Sequence, residues 1–212
     1  MHFSFKILFA TYGRFNRLKK SKKKYDLLKE ARKNFIINCV TATEVYFKDL
    51  IKVTPELSKD IKSIAVKDLL SNKGKVNIWE AYEIFREKDF RIGDILVYFY
   101  TFQSIEEINI VMTKLLSITN FLAEVGTYKL KLDKELKKYY HKEEISLSED
   151  FPDWKSVLTD IFSLRHDYVH HINFKDKLGD ERLYKYYRTL DAFISVTDDY
   201  FFEKVKMDEV KE

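Results

Sequence analysis

Apolar residues recur three or four positions apart through most of the chain, the spacing that gives an α-helix one buried face. From Lys22 to Val53 the positions Leu28, Phe35, Cys39, Ala42, Tyr46 and Leu50 keep this rhythm and predict one long amphipathic helix. Thr54-Pro55 ends it, because proline restricts the residue before it and has no N–H for the ladder. A second helix is expected over Glu56 to Leu70, stopped by Ser71-Asn72-Lys73-Gly74. A third, from Ile78 to Lys88, is capped by Asn77 and turns Trp79, Tyr82, Ile84 and Phe85 inward. Ile92 to Phe102 is apolar and aromatic throughout and reads as a buried helix or a strand. Ser104 with Glu107 three residues on has the form of a capping box, opening a helix expected to run to Val125 before Gly126. Lys129 to Glu149 is charged and weakly patterned, a short helix plus a mobile connection. Two helices close the chain, Asp153 to His171 and, after a polar break from Asn173 to Gly179, a long one from Asp180 to Met207.

This succession predicts an all-α helical bundle with short connections and a long last helix. Composition narrows the choice further. Only 5 Gly and 2 Pro stand among 212 residues, about 3% against a usual share of roughly 12%. Sandwiches and barrels need Gly and Pro turns at short intervals, and doubly wound folds want glycines at strand–helix turns, so both are excluded. With 45% hydrophobic and 16% aromatic residues the chain is too apolar to stay unfolded. No repeat or composition shift marks a second domain, so residues 25–212 are expected to form one α-helical domain behind a basic segment, residues 1–24.

That basic segment changes the meaning of the net charge. Arg14, Arg17, Lys19, Lys20, Lys22, Lys23 and Lys24 place seven positive charges in eleven positions without an acid. The formal net charge is +4, so the remainder of the chain carries −3. The run is either a solvated, lysine-rich helix start or a surface for phosphates, as in RNA. The single cysteine, Cys39, excludes a disulfide framework and reads as a small core residue among Ile36, Ile37 and Val40. The apolar start holds Lys6 early and lacks a small-residue cleavage site, so no signal peptide is expected. No run is long enough for a membrane span, and a cytoplasmic location fits best.

Candidate chemistry is confined to one segment. Phosphate-binding loops of the GxxxxGKS/T and GxGxxG kinds, HExxH and GxSxG are all absent, and no Cys/His cluster has zinc spacing. No metal or cofactor is expected. Three histidines, however, follow an arginine in Leu164-Arg165-His166-Asp167-Tyr168-Val169-His170-His171. On an ideal helix with Trp154 at the origin, Leu158, Ile161, Phe162, Leu164 and Tyr168 form an apolar arc, and Arg165 falls inside it at about 20°. A guanidinium cannot be neutralised by burial, so a carboxylate, a phosphate or a wet cleft must await it. A structural acid or snorkelling would satisfy the same requirement. His170 falls at about 160°, on another side of the helix, with His166 and His171 flanking the arc. Arg165 and His170 therefore converge only if the helix ends or bends after Tyr168, or if two copies face each other. An arginine and a histidine together supply what metal-free phosphodiester cleavage requires.

The stretch Ile161-Phe162-Ser163-Leu164-Arg165-His166-Asp167-Tyr168-Val169-His170 resembles the R-x4-H signature of the HEPN superfamily, in its apolar approach and in the polar residue after the arginine. Thr43-Glu44-Val45-Tyr46-Phe47-Lys48-Asp49-Leu50-Ile51 also looks like the first core helix of such bundles. The resemblance implies a homodimeric helical bundle in which both copies of the motif line one cleft. It further implies a metal-independent endoribonuclease of toxin–antitoxin, phage-defence or RNA-processing systems, with an antitoxin or other protein as partner. His170 would then be the general base or acid for 2′-OH attack, Arg165 would hold the scissile phosphate, and His166 would orient or tune the pair. One departure is visible: members paired with nucleotidyltransferases usually carry R-x4-H-x-Y, and the tyrosine position here is Ile172. That argues against the tyrosine-adenylated subtype.

Two other features have plain readings. Glu44 lies away from Leu28, Phe35 and Tyr46 on its helix and is expected to be a solvated charge, with a place in a dimer cleft as the alternative. Tyr184, Tyr186, Tyr187, Phe193, Tyr200, Phe201 and Phe202 on the last helix are expected in the core or a subunit interface, although aromatic side chains can also stack bases. The alternative to an enzyme is a non-catalytic helical module that binds RNA or protein through the basic run or the cleft.

Overall fold

A computed structural model describes residues 25–56, 92–171 and 178–209 of the chain. Apart from Glu56 itself, the helices expected over Glu56–Leu70 and Ile78–Lys88 lie outside these residues. So do the whole basic run and most of the break before the last helix. Among the described residues there are eight α-helices and one pair of two-residue strands, an all-α bundle as the periodicity predicts. None of these helices is long and apolar enough to cross a membrane.

The long first helix, α1 (Tyr25–Val53), buries Phe35, Cys39, Ala42, Tyr46 and Leu50 along one stripe, with Leu28 partly covered at its start. The Cys39 thiol is buried, and loss of solvation pushes its pKa well up, as fits a packing residue. Near the end of α1 the Thr54 hydroxyl donates to the Leu50 carbonyl, and a 3-10 turn over Thr54–Glu56 closes the helix at Pro55. The next described helix, α2 (Ile92–Phe99), resolves the apolar segment as helix and not strand. It lies so close to the end of α1 that a Cβ on Gly93 would stand 1.9 Å from the Lys52 carbonyl oxygen. Asp94 pairs with Lys52 at 2.8 Å across the same contact.

After α2 the backbone reaches Phe102 at φ 56°, a left-handed conformation that a bulky side chain adopts only under constraint. The core supplies it: the Phe102 ring is fully buried, 5.7 Å from that of Phe47. Ser104 then caps α3 (Ile105–Leu115), its Oγ accepting from the Glu107 amide at 3.0 Å. Glu107 reaches back past the Ser104 amide that a capping box would engage. It accepts from the Gln103 amide at 3.1 Å and from the Thr101 amide and hydroxyl, and so ties down the strained Phe102 turn.

The single helix expected from Ser104 to Val125 is two. α3 stops at Leu115, Ser117 turns at φ 52°, and Asn120 caps α4 (Phe121–Thr127). Two side chains of α3 make the break possible: Thr113 Oγ1 accepts from the Phe121 amide and Asn109 Oδ1 from the Leu122 amide, each at 2.9 Å. First-turn amides of α4 are thereby satisfied by a neighbour, and no continuous ladder is needed. Gly126, expected as a stop, lies inside α4, where an added Cβ would come within 3.0 Å of Ser148 Oγ and 3.2 Å of the Trp154 ring.

The connection from Lys129 to Glu149 is more ordered than its pattern suggests. β1 (Leu130–Lys131) pairs antiparallel with β2 (Glu144–Ile145), enclosing α5 (Lys134–Tyr140), and α6 (Leu147–Asp150) follows. Asp133 caps α5 through two amides, and His141 closes it in the left-handed conformation. The Tyr140 hydroxyl then anchors this unit to the last helix, donating to the buried Asp191 carboxylate at 2.8 Å. Arg188 spreads over the Tyr139 and Tyr140 rings.

α7 (Trp154–His170) and α8 (Asp180–Glu209) match the expected closing helices. α7 buries Trp154, Val157, Leu158, Ile161, Phe162, Leu164 and Tyr168 against α1 and α8. On α8, Tyr186, Tyr187, Phe193, Tyr200 and Phe201 are in the core as expected, whereas Tyr184 and Phe202 are exposed.

Two predictions follow from this packing. Gly93→Ala has no room at the Lys52 carbonyl and should lower stability in chemical denaturation by about 1–3 kcal/mol, the usual penalty of overpacking; an unchanged midpoint would show that α2 and α1 are not in this contact. Burial raises the Asp191 carboxyl from 3.8 to about 6, with the Tyr140 hydrogen bond and Arg188 pulling the other way. A carboxyl raised in the fold favours the folded state most below its unfolded value, and that contribution is lost as pH rises through about 6. Asp191→Asn should therefore gain thermal stability relative to wild type between pH 4 and pH 7.5, and a Tm difference that stays constant over that range would refute the burial argument.

Candidate functional site

The sequence-predicted residues sit on α7 in two groups. Because α7 presents its apolar arc to α1, Arg165 is carried to the α1–α7 seam with only 20% of its side chain exposed. Glu44 of α1 stands opposite, its side chain 14% exposed, so the expectation of a solvated charge is wrong for it. The single-helix reading placed Glu44 away from the main apolar stripe. It could not show that α7 would cover that flank.

The two charges are close without being closed. Arg165 Nη2 lies 3.7 Å from Glu44 Oε1, an ion pair but too long for a hydrogen bond. Arg165 Nε and Glu44 Oε1 are both buried, and neither has a hydrogen-bond partner. Burial pushes the Glu44 carboxyl above the ordinary carboxylate range. Arg165 and Lys48 draw it back, and Glu107 at the start of α3 adds to the rise. A guanidinium carries five donors. This one meets a single distant carboxylate, and its capacity to bind a tetrahedral or planar anion is largely unspent.

The second group is the histidines. His166, His170 and His171 are exposed. The His166 and His170 rings stand 4.5 Å apart, one helical turn from each other, and the His171 ring lies 6.2 Å from that of His166. His171 Nε2 is 3.8 Å from Asp167 Oδ1. The helix runs through His170, and the His171 amide still donates to the Asp167 carbonyl at 2.9 Å, so α7 neither ends nor bends after Tyr168. Of the two routes by which Arg165 and His170 could meet, the one within a single chain is thereby closed. His166 joins His170 in the histidine group, while Arg165 belongs with Glu44.

The basic residues Arg14, Arg17, Lys19, Lys20, Lys22, Lys23 and Lys24 lie outside the described residues. Glu44 is the member of the site that sequence reasoning undervalued. The one available signal was its place beside Tyr46 and Phe47 in the segment Thr43–Ile51.

Fold and site together define an all-α bundle in which α7 offers an under-paired arginine on its inner flank and a group of histidines on its outer one. No family model, no curated protein and no solved structure matches the chain.

The open geometry makes a measurable claim about the Glu44–Arg165 pair. In a double-mutant cycle of Arg165→Ala and Glu44→Gln followed by urea denaturation, the coupling should stay below about 1 kcal/mol, the range of partly exposed pairs. A coupling of about 3 kcal/mol or more would mark a closed structural pair and remove Arg165 from the list of binding groups.

Proposed function

We propose that the protein is a metal-independent endoribonuclease of HEPN type that works as a homodimer. The observation that carries this reading is Arg165 itself. It is a guanidinium set on the inner flank of α7, with a buried Nε that has no partner and one carboxylate at 3.7 Å, five residues before an exposed histidine. A scissile phosphate would satisfy the donors that Glu44 leaves unused, and Glu44 would hold the empty guanidinium in place between substrates.

Within one helix Arg165 and His170 point about 140° apart, so one chain cannot bring both to one phosphate. A second copy packed with its α7 beside the first would set His170 of one chain near Arg165 of the other. In that arrangement His170 removes the proton from a ribose 2′-OH, the oxygen attacks the adjacent phosphorus, and the 5′-oxygen leaves with a proton from water. The products carry a 2′,3′-cyclic phosphate and a 5′-hydroxyl. Arg165 stabilises the charge that gathers on the non-bridging oxygens, and His166, its ring 4.5 Å from that of His170, orients or tunes that ring. The basic run from Arg14 to Lys24 would add sequence-independent phosphate contacts. A cytoplasmic toxin or antiviral-defence role, with an antitoxin as partner, is the setting that this activity suits.

RNA incubated with pure protein in EDTA should be cut to ends bearing 2′,3′-cyclic phosphate. Arg165→Ala should lower the rate by about 10²–10³-fold and His170→Ala by about 10²–10⁴-fold. Mixing the two inactive variants should restore part of the activity, because a mixed dimer keeps one complete site. Equal cutting by wild type and both variants refutes catalysis at these residues, and failure of the mixture to recover refutes the shared site. RNA that is bound without cutting, in a salt-dependent manner lost on neutralising Lys19, Lys20, Lys22, Lys23 and Lys24, would instead identify a non-catalytic binding module.

A further inference from the structure

The histidine pair on α7 has a chemistry that RNA cleavage does not use. His166 and His170 are separated by four residues, the i, i+4 spacing at which two imidazoles on one helix face reach a single metal ion. Their rings stand 4.5 Å apart and both are exposed. Two nitrogens bound to one ion at about 2.0–2.1 Å each can be no more than about 4.2 Å apart, a separation that small rotations of these rings provide. His170 lies in the last turn of α7, where the free carbonyls give the helix end a partial negative charge that favours a cation, and His166 lies one turn before it. His171 and Asp167 border the pair. Among the described residues no group of three or more histidine, cysteine or acidic side chains is placed to hold a metal. The pair therefore offers two protein ligands, with water completing the shell, which is the make-up of an exchangeable site and not of a structural one.

We propose that His166 and His170 form a two-nitrogen site for a late first-row dication, of the Ni²⁺, Cu²⁺ or Zn²⁺ class, for which imidazole is the favoured ligand. The consequence for function rests on the ribonuclease reading. A ring nitrogen that donates its lone pair to a metal cannot accept the proton of a 2′-OH, so the bound ion switches cleavage off, and a chelator restores it.

Calorimetric titration of the full chain with NiCl₂ should give one ion per chain, with MgCl₂ as the oxygen-seeking control giving none. His166→Gln and His170→Gln should each weaken Ni²⁺ binding by at least about 10-fold, the loss expected when one of two ligands goes. Their far-ultraviolet circular dichroism should be that of wild type, since both side chains are exposed. Ni²⁺ binding that persists in both variants, or is absent from wild type, overturns the site. In a cleavage assay Ni²⁺ should inhibit wild type over the range in which it binds, and EDTA should reverse it. Binding without inhibition overturns the switch. If no RNA is cut under any condition, the ribonuclease reading and the switch fall together, while calorimetry still decides the metal site.

Discussion

Phe47 is the side chain on which the bundle depends. Its ring is fully buried and meets Phe102 at 5.7 Å, Phe193 at 5.9 Å and Phe121 at 6.2 Å, so one residue of α1 joins the turn before α3, the start of α4 and the middle of α8. Trp154, the first residue of α7, stacks on Phe193 at 5.8 Å and is drawn into the same cluster. Aromatic contacts of this kind add about 0.5–1.5 kcal/mol each beyond area burial and favour defined geometries. They therefore fix orientation as well as stability. With Phe47 held, Glu44 three residues earlier has a fixed place on the neighbouring flank of α1. With Trp154 held, the phase of α7 is set, and Arg165 is delivered to the seam opposite Glu44. The candidate site is thus a by-product of how an aromatic core sets the rotation of two helices.

What could be read from the residues alone was whatever one helix decides for itself. α7 and α8 emerge from their own periodicity, Ser104 is found where a cap belongs, and Arg165 stands out because it interrupts an apolar arc of its own helix. What could not be read depends on a second element. The break between α3 and α4 needs Asn109 and Thr113 to serve amides 13 and 8 residues further on, a service that local propensity does not reveal. The pairing of β1 with β2 needs α5 folded between them. Gly126 looked like a helix stop and is instead a point of close approach to Trp154, visible only once α7 is placed. Glu44 was misjudged for the same reason: its own helix turns it away from the stripe, and α7 covers that flank.

This division also explains why Arg165 and the histidines stand apart within one chain. Arg165 owes its position to packing and faces inward; His166 and His170 are free of packing and face solvent. A continuous helix cannot turn both to one point, and α7 is continuous through His170, its ladder extending to the amide of His171. A mostly buried arginine is costly to keep unless something meets its donors, and Glu44 at 3.7 Å meets them poorly. Such a retained imperfection is where an external ligand gains most, since binding there satisfies groups whose desolvation the fold has already accepted.

The same reasoning separates the two ends of the chemistry. On the ribonuclease reading proposed above, an anion would sit at Arg165, whose guanidinium is held between α1 and α7. Proton transfer would fall to the exposed ring of His170, which solvent, a partner chain or a metal ion could reach. With the anion site within the fold and the proton site on its surface, activity on that reading would depend on what covers the surface. A second copy that covers it would complete the site; a cation that occupies it would block the site. One helix would then carry both a reaction and its control without any change in its backbone, because its two flanks answer to different neighbours.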